Sequence, residues 1–313
     1  KKHLIRNIII GVVALPVFIY GGVVLKHKFS KPTFDEIQKC FKEIFERDLS
    51  KDEVNNLLSK YKQLLKNENT EDFAKKMVEQ LKKDYGIEKV QTDINIELLK
   101  DGKIKTIMEH RKNGEASPFG EINIMPSTNS KEVIRSQQKE ILETGFHEVK
   151  HLKQFAEAYC TDPDKFADAI YEHNVTKELI DEFISIVKAE IKKNATESLN
   201  EGPVRGMPLA KIEKLLTEAT LKKYGGSFEE FAKQSIKKDY KEVLDSKFGK
   251  LERYKEGTKE YKKGMEYIEA YKKYPDPEKD YSAYKNNLLE KEAWNNGDLS
   301  KKIYDYLKSI WSI

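Results

Sequence analysis

Two imidazoles and a carboxylate stand close together in the run His147-Glu148-Val149-Lys150-His151, at a spacing that suits hydrolysis at a metal. On a helix, residues four apart lie one turn apart on the same face. His147 and His151 can therefore hold one Zn²⁺ at about 2.0–2.1 Å each. Glu148, next to the first ligand, can take the proton of a water that such an ion acidifies. The chain has 6 histidines in 313 residues, so this pentapeptide arises by chance only on the order of one time in a hundred. Its neighbours Ile141, Leu142, Phe146, Val149, Leu152 and Phe155 are apolar, as in a helix running through a core rather than over a surface.

A catalytic zinc keeps three protein ligands and an open position. Position 157, where another histidine would complete one large group of such enzymes, is Glu, and position 154 is Gln. The third ligand is then an acid on a separate helix. Gln154 lies one turn beyond His151 on the same face and can support the site from behind the ligands.

The chain here resembles the gluzincin division of HExxH zinc metallopeptidases. The resemblance is carried by His147 through Gln154, which reads HExxHxxQ, and by Tyr284-Lys285-Asn286-Asn287-Leu288-Leu289-Glu290-Lys291-Glu292-Ala293. It implies a zincin-like domain in which Glu290 is the third zinc ligand and Ala293 the small residue one turn along. Trp294 stands where the resemblance puts an Asp or Asn. Glu292, Glu172 (with His173 beside it) and Glu182 remain alternative ligands, since zinc accepts any well-placed carboxylate. Tyr281 and Tyr284 can bring a phenol to an oxyanion.

The elements that must position these groups are mostly helical. Thr33 with Glu36 and Ser50 with Glu53 are capping boxes before apolar-periodic stretches, and Thr70 opens a third that Gly86 ends. Residues 93–98 and 104–108 alternate around Asp101-Gly102, a hairpin signal, and 120–125 is a further short strand. Ser130 then opens the helix that carries the HExxH run. Asp162-Pro163, Thr176, Pro208 and Ser227 begin later helices. The expected fold is α+β: a mostly helical domain with a small antiparallel sheet packed on the HExxH helix. Its organisation is an anchor over 1–30, a small helical bundle over 31–90, and a metallopeptidase domain over 91–313 with a helical insertion at about 161–280.

Residues 8–25 carry no charge and are flanked by lysine and arginine. At 1.5 Å per residue such a run spans about 27 Å, so the sequence predicts a single-pass membrane protein in contact with lipid through this segment. The flanking charges are nearly equal and leave the orientation open. The balance of 57 basic against 53 acidic residues, net +4, comes with lysine and glutamate interleaved at helical spacing. That reads as solvated helix faces, not a nucleic-acid partner. Cys40 and Cys160 lie outside any CxxC pair and can be two thiols or one disulfide. The function expected from these residues is a membrane-anchored zinc metallopeptidase acting on peptides or proteins. The rivals are a non-catalytic membrane-tethered scaffold and a zinc hydrolase of other amides.

Overall fold

Local signals set most helix starts. In the computed structural model, which describes residues 31–96, 114–124, 135–200, 205, 207–222 and 226–311, both capping boxes are formed. Thr33 caps α1 (Phe34–Phe45) and Ser50 caps α2 (Lys51–Leu64), each with the N3 glutamate reaching back to the cap. Asn69 caps α3 (Thr70–Asp84) by accepting from the Asp72 amide. Further along, Asp162 caps α5 (Pro163–Asn174) and Thr176 caps α6 (Lys177–Glu197), after the long α4 (Arg135–Thr161). The chain continues as α7 (Leu209–Lys222), α8 (Phe228–Phe248), α9 (Lys259–Lys272), the short α10 (Tyr281–Asn286) and α11 (Leu288–Trp311).

Contacts divide the chain into two compact units. One holds the described residues up to Lys66 and those from Asp298 onward; the other is Asn67–Gly297. Helix α3, which the sequence groups with the two helices before it, belongs to the second unit. The first unit buries Ile37, Phe41, Ile44, Leu58 and Tyr61, with Ile303 and Leu307 of α11. Phe41 stacks on Tyr61 with ring centroids 6.1 Å apart.

In the second unit α4 is the central element. Helices α3, α5, α8 and α9 and strands β2 (Gly114–Ala116) and β3 (Glu121–Ile124) all pack against it. Surrounded in this way, α4 buries apolar residues on more than one face: Ile141, Leu142, Phe146, Val149, Leu152 and Phe155 are each 5% exposed or less. This is what its run of apolar residues around the histidines foretells.

The sheet is not the antiparallel one expected. β1 (Asp93–Ile96) pairs parallel with β3, Asp93 opposite Glu121, while β2 pairs antiparallel with β3, in the order β1-β3-β2. The observed hairpin turns at Ser117–Gly120, where the Gly120 amide donates to Ser117 O. Gly120 sits at φ +79°, and a Cβ there would meet Gln91 O at 2.8 Å, so only glycine fits the turn. The Asp101-Gly102 turn and the strand expected over 104–108 lie outside the described residues, as does Ser130. The strand at 121–124 is central, so both its edges are taken. Among the described residues the edge beside α4 is that of β2.

The membrane expectation is corrected. Among the described residues no helix is long and apolar enough to cross a membrane, so the transmembrane element of the expected fold and the single-pass localisation find no support in the structure. The described helices are amphipathic: α6 and α8, at 21 residues each, carry lysine and glutamate throughout. The apolar run 8–25 lies outside the described residues.

Candidate metal centre

Three ligand-type side chains meet where α4 passes the start of α11. The HExxH turn of α4 brings His147 and His151 to one face, with Nε2 atoms 3.2 Å apart. Asn287 shapes the start of α11, since its side chain accepts from the Leu289 amide at 2.9 Å and donates to Ala270 O of α9 at 3.0 Å. Glu290 thereby falls in the first turn of α11, where the helix dipole favours a negative charge. Its Oε1 lies 3.3 Å from His151 Nε2 and its Oε2 lies 3.5 Å from His147 Nε2. The group His147, His151 and Glu290 can hold a metal ion.

The fit can be tested against coordination geometry. Ligand atoms bound at about 2.0–2.2 Å to a tetrahedral ion stand about 3.3–3.6 Å from one another. The imidazole nitrogens here stand 3.2 Å apart, the two oxygens of Glu290 lie 3.3 and 3.5 Å from one ring each, and one ligand atom from each residue lies within 4.8 Å of the others. Glu290 Oε2 is buried with no hydrogen-bond partner, a costly state for a carboxylate oxygen that a cation at this point relieves. Among the described residues no fourth His, Cys, Asp or Glu joins the group, which leaves a coordination position open.

Hydrogen bonding decides which imidazole nitrogens face the centre. Gln154 is fully buried. Its amide nitrogen donates to Leu289 O at 3.2 Å and to Glu292 Oε2 at 3.1 Å, both of them acceptors. Its oxygen is therefore turned to His151 Nδ1, 3.0 Å away, and His151 must donate from Nδ1. The unprotonated Nε2 is left facing His147 and Glu290, as a metal ligand requires.

Burial disfavours a charged His151, but the hydrogen bond and charge of Glu290 outweigh it, so its pKa is raised. For Glu290, burial pushes the carboxyl up, yet the two imidazoles hold it well below the usual carboxylate range. Burial pushes Glu148 up, opposed in part by the charges of His147 and His151. Glu148 is 5% exposed and lies beneath β2. A Cβ on Gly114 would stand 2.7 Å from Glu148 Oε1 and 2.5 Å from Thr144 Cγ2, so only a glycine lets the strand run this close.

The other sequence candidates separate cleanly. Glu292 is not in the ligand group; it accepts from Lys150, Tyr267 and Gln154. Burial pushes its carboxyl up, but Lys150 and the Tyr267 hydroxyl bring it below its ordinary value. Glu172 and Glu182 are exposed on α5 and α6 and do not join the group. Tyr284 interacts with Glu290, and burial pushes its phenol up. Tyr281 is 56% exposed and only stacks on Tyr284 at 6.0 Å. Trp294, in place of the Asp or Asn, sets its ring against that of His147 with centroids 4.9 Å apart. Cys40 and Cys160 are both free and buried.

Three participants went unseen in the sequence. The Tyr274 hydroxyl donates to Glu290 Oε1, and its turn, Tyr274-Pro275-Asp276-Pro277, is the local signal that could have drawn attention to it. Lys150, inside the HExxH run itself, is 1% exposed; a lysine amid apolar neighbours was its signal. Gly114 carried none. No family model, no curated protein and no solved structure matches the chain.

Proposed function

We infer that this chain is a zinc-dependent hydrolase that cleaves peptide bonds, with Zn²⁺ held by His147, His151 and Glu290 and with Glu148 as general base. The observation that carries the reading is the convergence of His147, His151 and Glu290, one ligand atom from each within 4.8 Å of the others, with the carboxylate of Glu148 beside it. Two histidines and one carboxylate with an open position match a catalytic rather than a closed structural zinc site. When bound, Zn²⁺ supplies Lewis acidity, bringing the pKa of water toward 7 and polarising a carbonyl.

The chain's own residues do the rest. Glu148 accepts the proton of the attacking water and returns it to the leaving amine nitrogen. Its burial favours the protonated form, which helps it serve as acid in the second half of the reaction. Gln154 keeps His151 oriented with Nε2 toward the centre, and Tyr274 holds Glu290 Oε1. The outer edge of β2, with Gly114 against Glu148, offers main-chain groups to an extended peptide, a mode of recognition that favours peptides over other amides.

Glu148→Gln tests this directly. The variant should bind one zinc per chain and lose at least about 10²-fold in peptide hydrolysis, the low end of what general base catalysis supplies. Full activity with zinc bound would refute the assignment.

A further inference from the structure

Glu292 and Lys150 form a partly buried ion pair, Nζ to Oε2 at 2.9 Å, with the Lys150 side chain 1% and that of Glu292 25% exposed. Such pairs seldom stabilise a fold more than well-packed apolar residues of the same size. The pair therefore calls for a reason beyond packing, and its other contacts supply one. The same Glu292 oxygen accepts from the Tyr267 hydroxyl at 2.6 Å and from Gln154 Nε2 at 3.1 Å, and Lys263 lies 3.8 Å from the second oxygen.

Residues two apart on a helix point to nearly opposite sides. The Glu290-Lys291-Glu292 segment thus sends one carboxylate to the imidazoles and the other to this cluster, and Gln154 bridges the two sides. Its amide contacts His151 Nδ1, Leu289 O and Glu292 Oε2 together.

We propose that Glu292, fixed by Lys150 and Tyr267, is a positioning residue that acts through Gln154 to keep the His151 proton on Nδ1 and the first turn of α11 in register with α4. The proposal rests on the metal-site reading for its purpose, though the relay itself is a property of the metal-free protein. An amide can be turned over at almost no steric cost. Because Glu292 and Leu289 O only accept, they force the nitrogen of Gln154 toward themselves and the oxygen toward His151. Without the Glu292 carboxylate only the 3.2 Å contact to Leu289 O still holds the nitrogen, and Gln154 presents it more readily to His151 Nδ1. The ring then accepts there, and its proton moves to Nε2, the atom that must bind the ion. Orienting partners of this kind typically account for about 10–100-fold in metal affinity.

The test uses the full chain and two readouts. In the metal-free protein, nitrogen-15 spectra of the histidine rings report which nitrogen of neutral His151 bears the proton. In a second arm, competition with a chromogenic chelator reports Zn²⁺ affinity. The variant Lys150→Met/Glu292→Leu removes the ion pair and the acceptor at nearly constant volume. It should move His151 toward the Nε2-protonated form and weaken Zn²⁺ about 10–100-fold. Lys150→Met/Glu292→Gln keeps an acceptor oxygen that Tyr267 can hold, and should restore most of both properties, a rescue that a purely packing role does not predict. Gln154→Leu, which buries no charge, should repeat the loss if the first variant fails to fold. A wild-type tautomer and an affinity within twofold of wild type in Gln154→Leu would overturn the proposal. If the wild type binds no Zn²⁺, the metal-site reading falls, and the nitrogen-15 arm alone decides the relay.

Discussion

Among the described residues of the second unit, imidazole and carboxylate come together at two places, and they differ in how the chain delivers them. On α5, Glu172 and His173 are adjacent in sequence, and both are exposed. His173 packs its ring edge against Tyr271 and Tyr274, with centroids 5.3 and 5.8 Å away. At the other place, His147 and His151 wait on α4 for a carboxylate from α11, and all three ligand atoms close within 4.8 Å. Neighbours along a helix diverge by about 100°, so adjacency by itself cannot focus two ligands on one point. Convergence from separate helices can, and it also buries the acid.

The sharpest way to break this contrast is to remove one ring from each place. His151→Ala should take bound zinc from near one per chain to near none, measured by metal analysis after dialysis, while His173→Ala should leave it unchanged. Equal retention in both variants would erase the distinction. Glu290→Gln belongs with His151→Ala, whereas Glu172→Gln belongs with His173→Ala.

Next in size is a change that spares the metal. Gly114→Val places a branched side chain where even a Cβ meets Glu148 Oε1 at 2.7 Å and Thr144 Cγ2 at 2.5 Å. Displacing a catalytic group by about 1 Å can cost on the order of 10²-fold in rate. Zinc content should stay near one per chain while hydrolysis falls by that order. Loss of zinc in parallel would mean that β2 supports the ligands rather than Glu148.

How much of this was legible follows from the range of each interaction. Thr33 with Glu36 and Ser50 with Glu53 are read within one helical turn, so the caps they predict are formed. His147, Glu148 and His151 share one turn of α4 and are equally local. The sheet depends on partners far apart in the chain: the alternation at 93–96 reveals a strand but not that Asp93 pairs parallel with Glu121. Glu290 was reached only through resemblance, because nothing near it distinguishes it from the other acids of a chain that is 35% charged. The exposure of α6, where only Ile191 and Ala195 are buried, was likewise hidden, because Leu179, Ile180, Phe183, Ile186 and Val187 form an apolar stripe that reads like any core face.

A smaller effect is expected at Tyr274, which lies between the two places. It touches the His173 ring and donates to Glu290. Tyr274→Phe keeps the ring and deletes only the donor. Zn²⁺ affinity should fall by about tenfold, the low end for an orienting partner, with the aromatic cluster intact by near-ultraviolet circular dichroism. An unchanged affinity would assign Tyr274 to the aromatic cluster alone.

The two histidines should also give opposite pH dependences in the metal-free protein. Glu290 and Glu148 raise the pKa of His151 above its ordinary 6.5 despite the opposing effect of burial. A raised pKa contributes stability that is fully present below the unfolded value and is lost as pH rises through the folded one. His173 is shifted the other way, below 6.5, by burial alone. Its contribution is present above pH 6.5, and is lost on acidification because the unfolded chain then binds the proton more readily. Urea titrations with chelator present, between pH 5 and 8, should separate them. His173→Phe should lessen the loss of stability on the acid side, and His151→Phe should lessen the loss on the alkaline side. Because His173 is only partly buried its part is the smaller. Slopes of the same sign for both rings would mean that the Glu290 carboxylate does not face His151 in solution, and the contrast between the two places would lose its electrostatic basis.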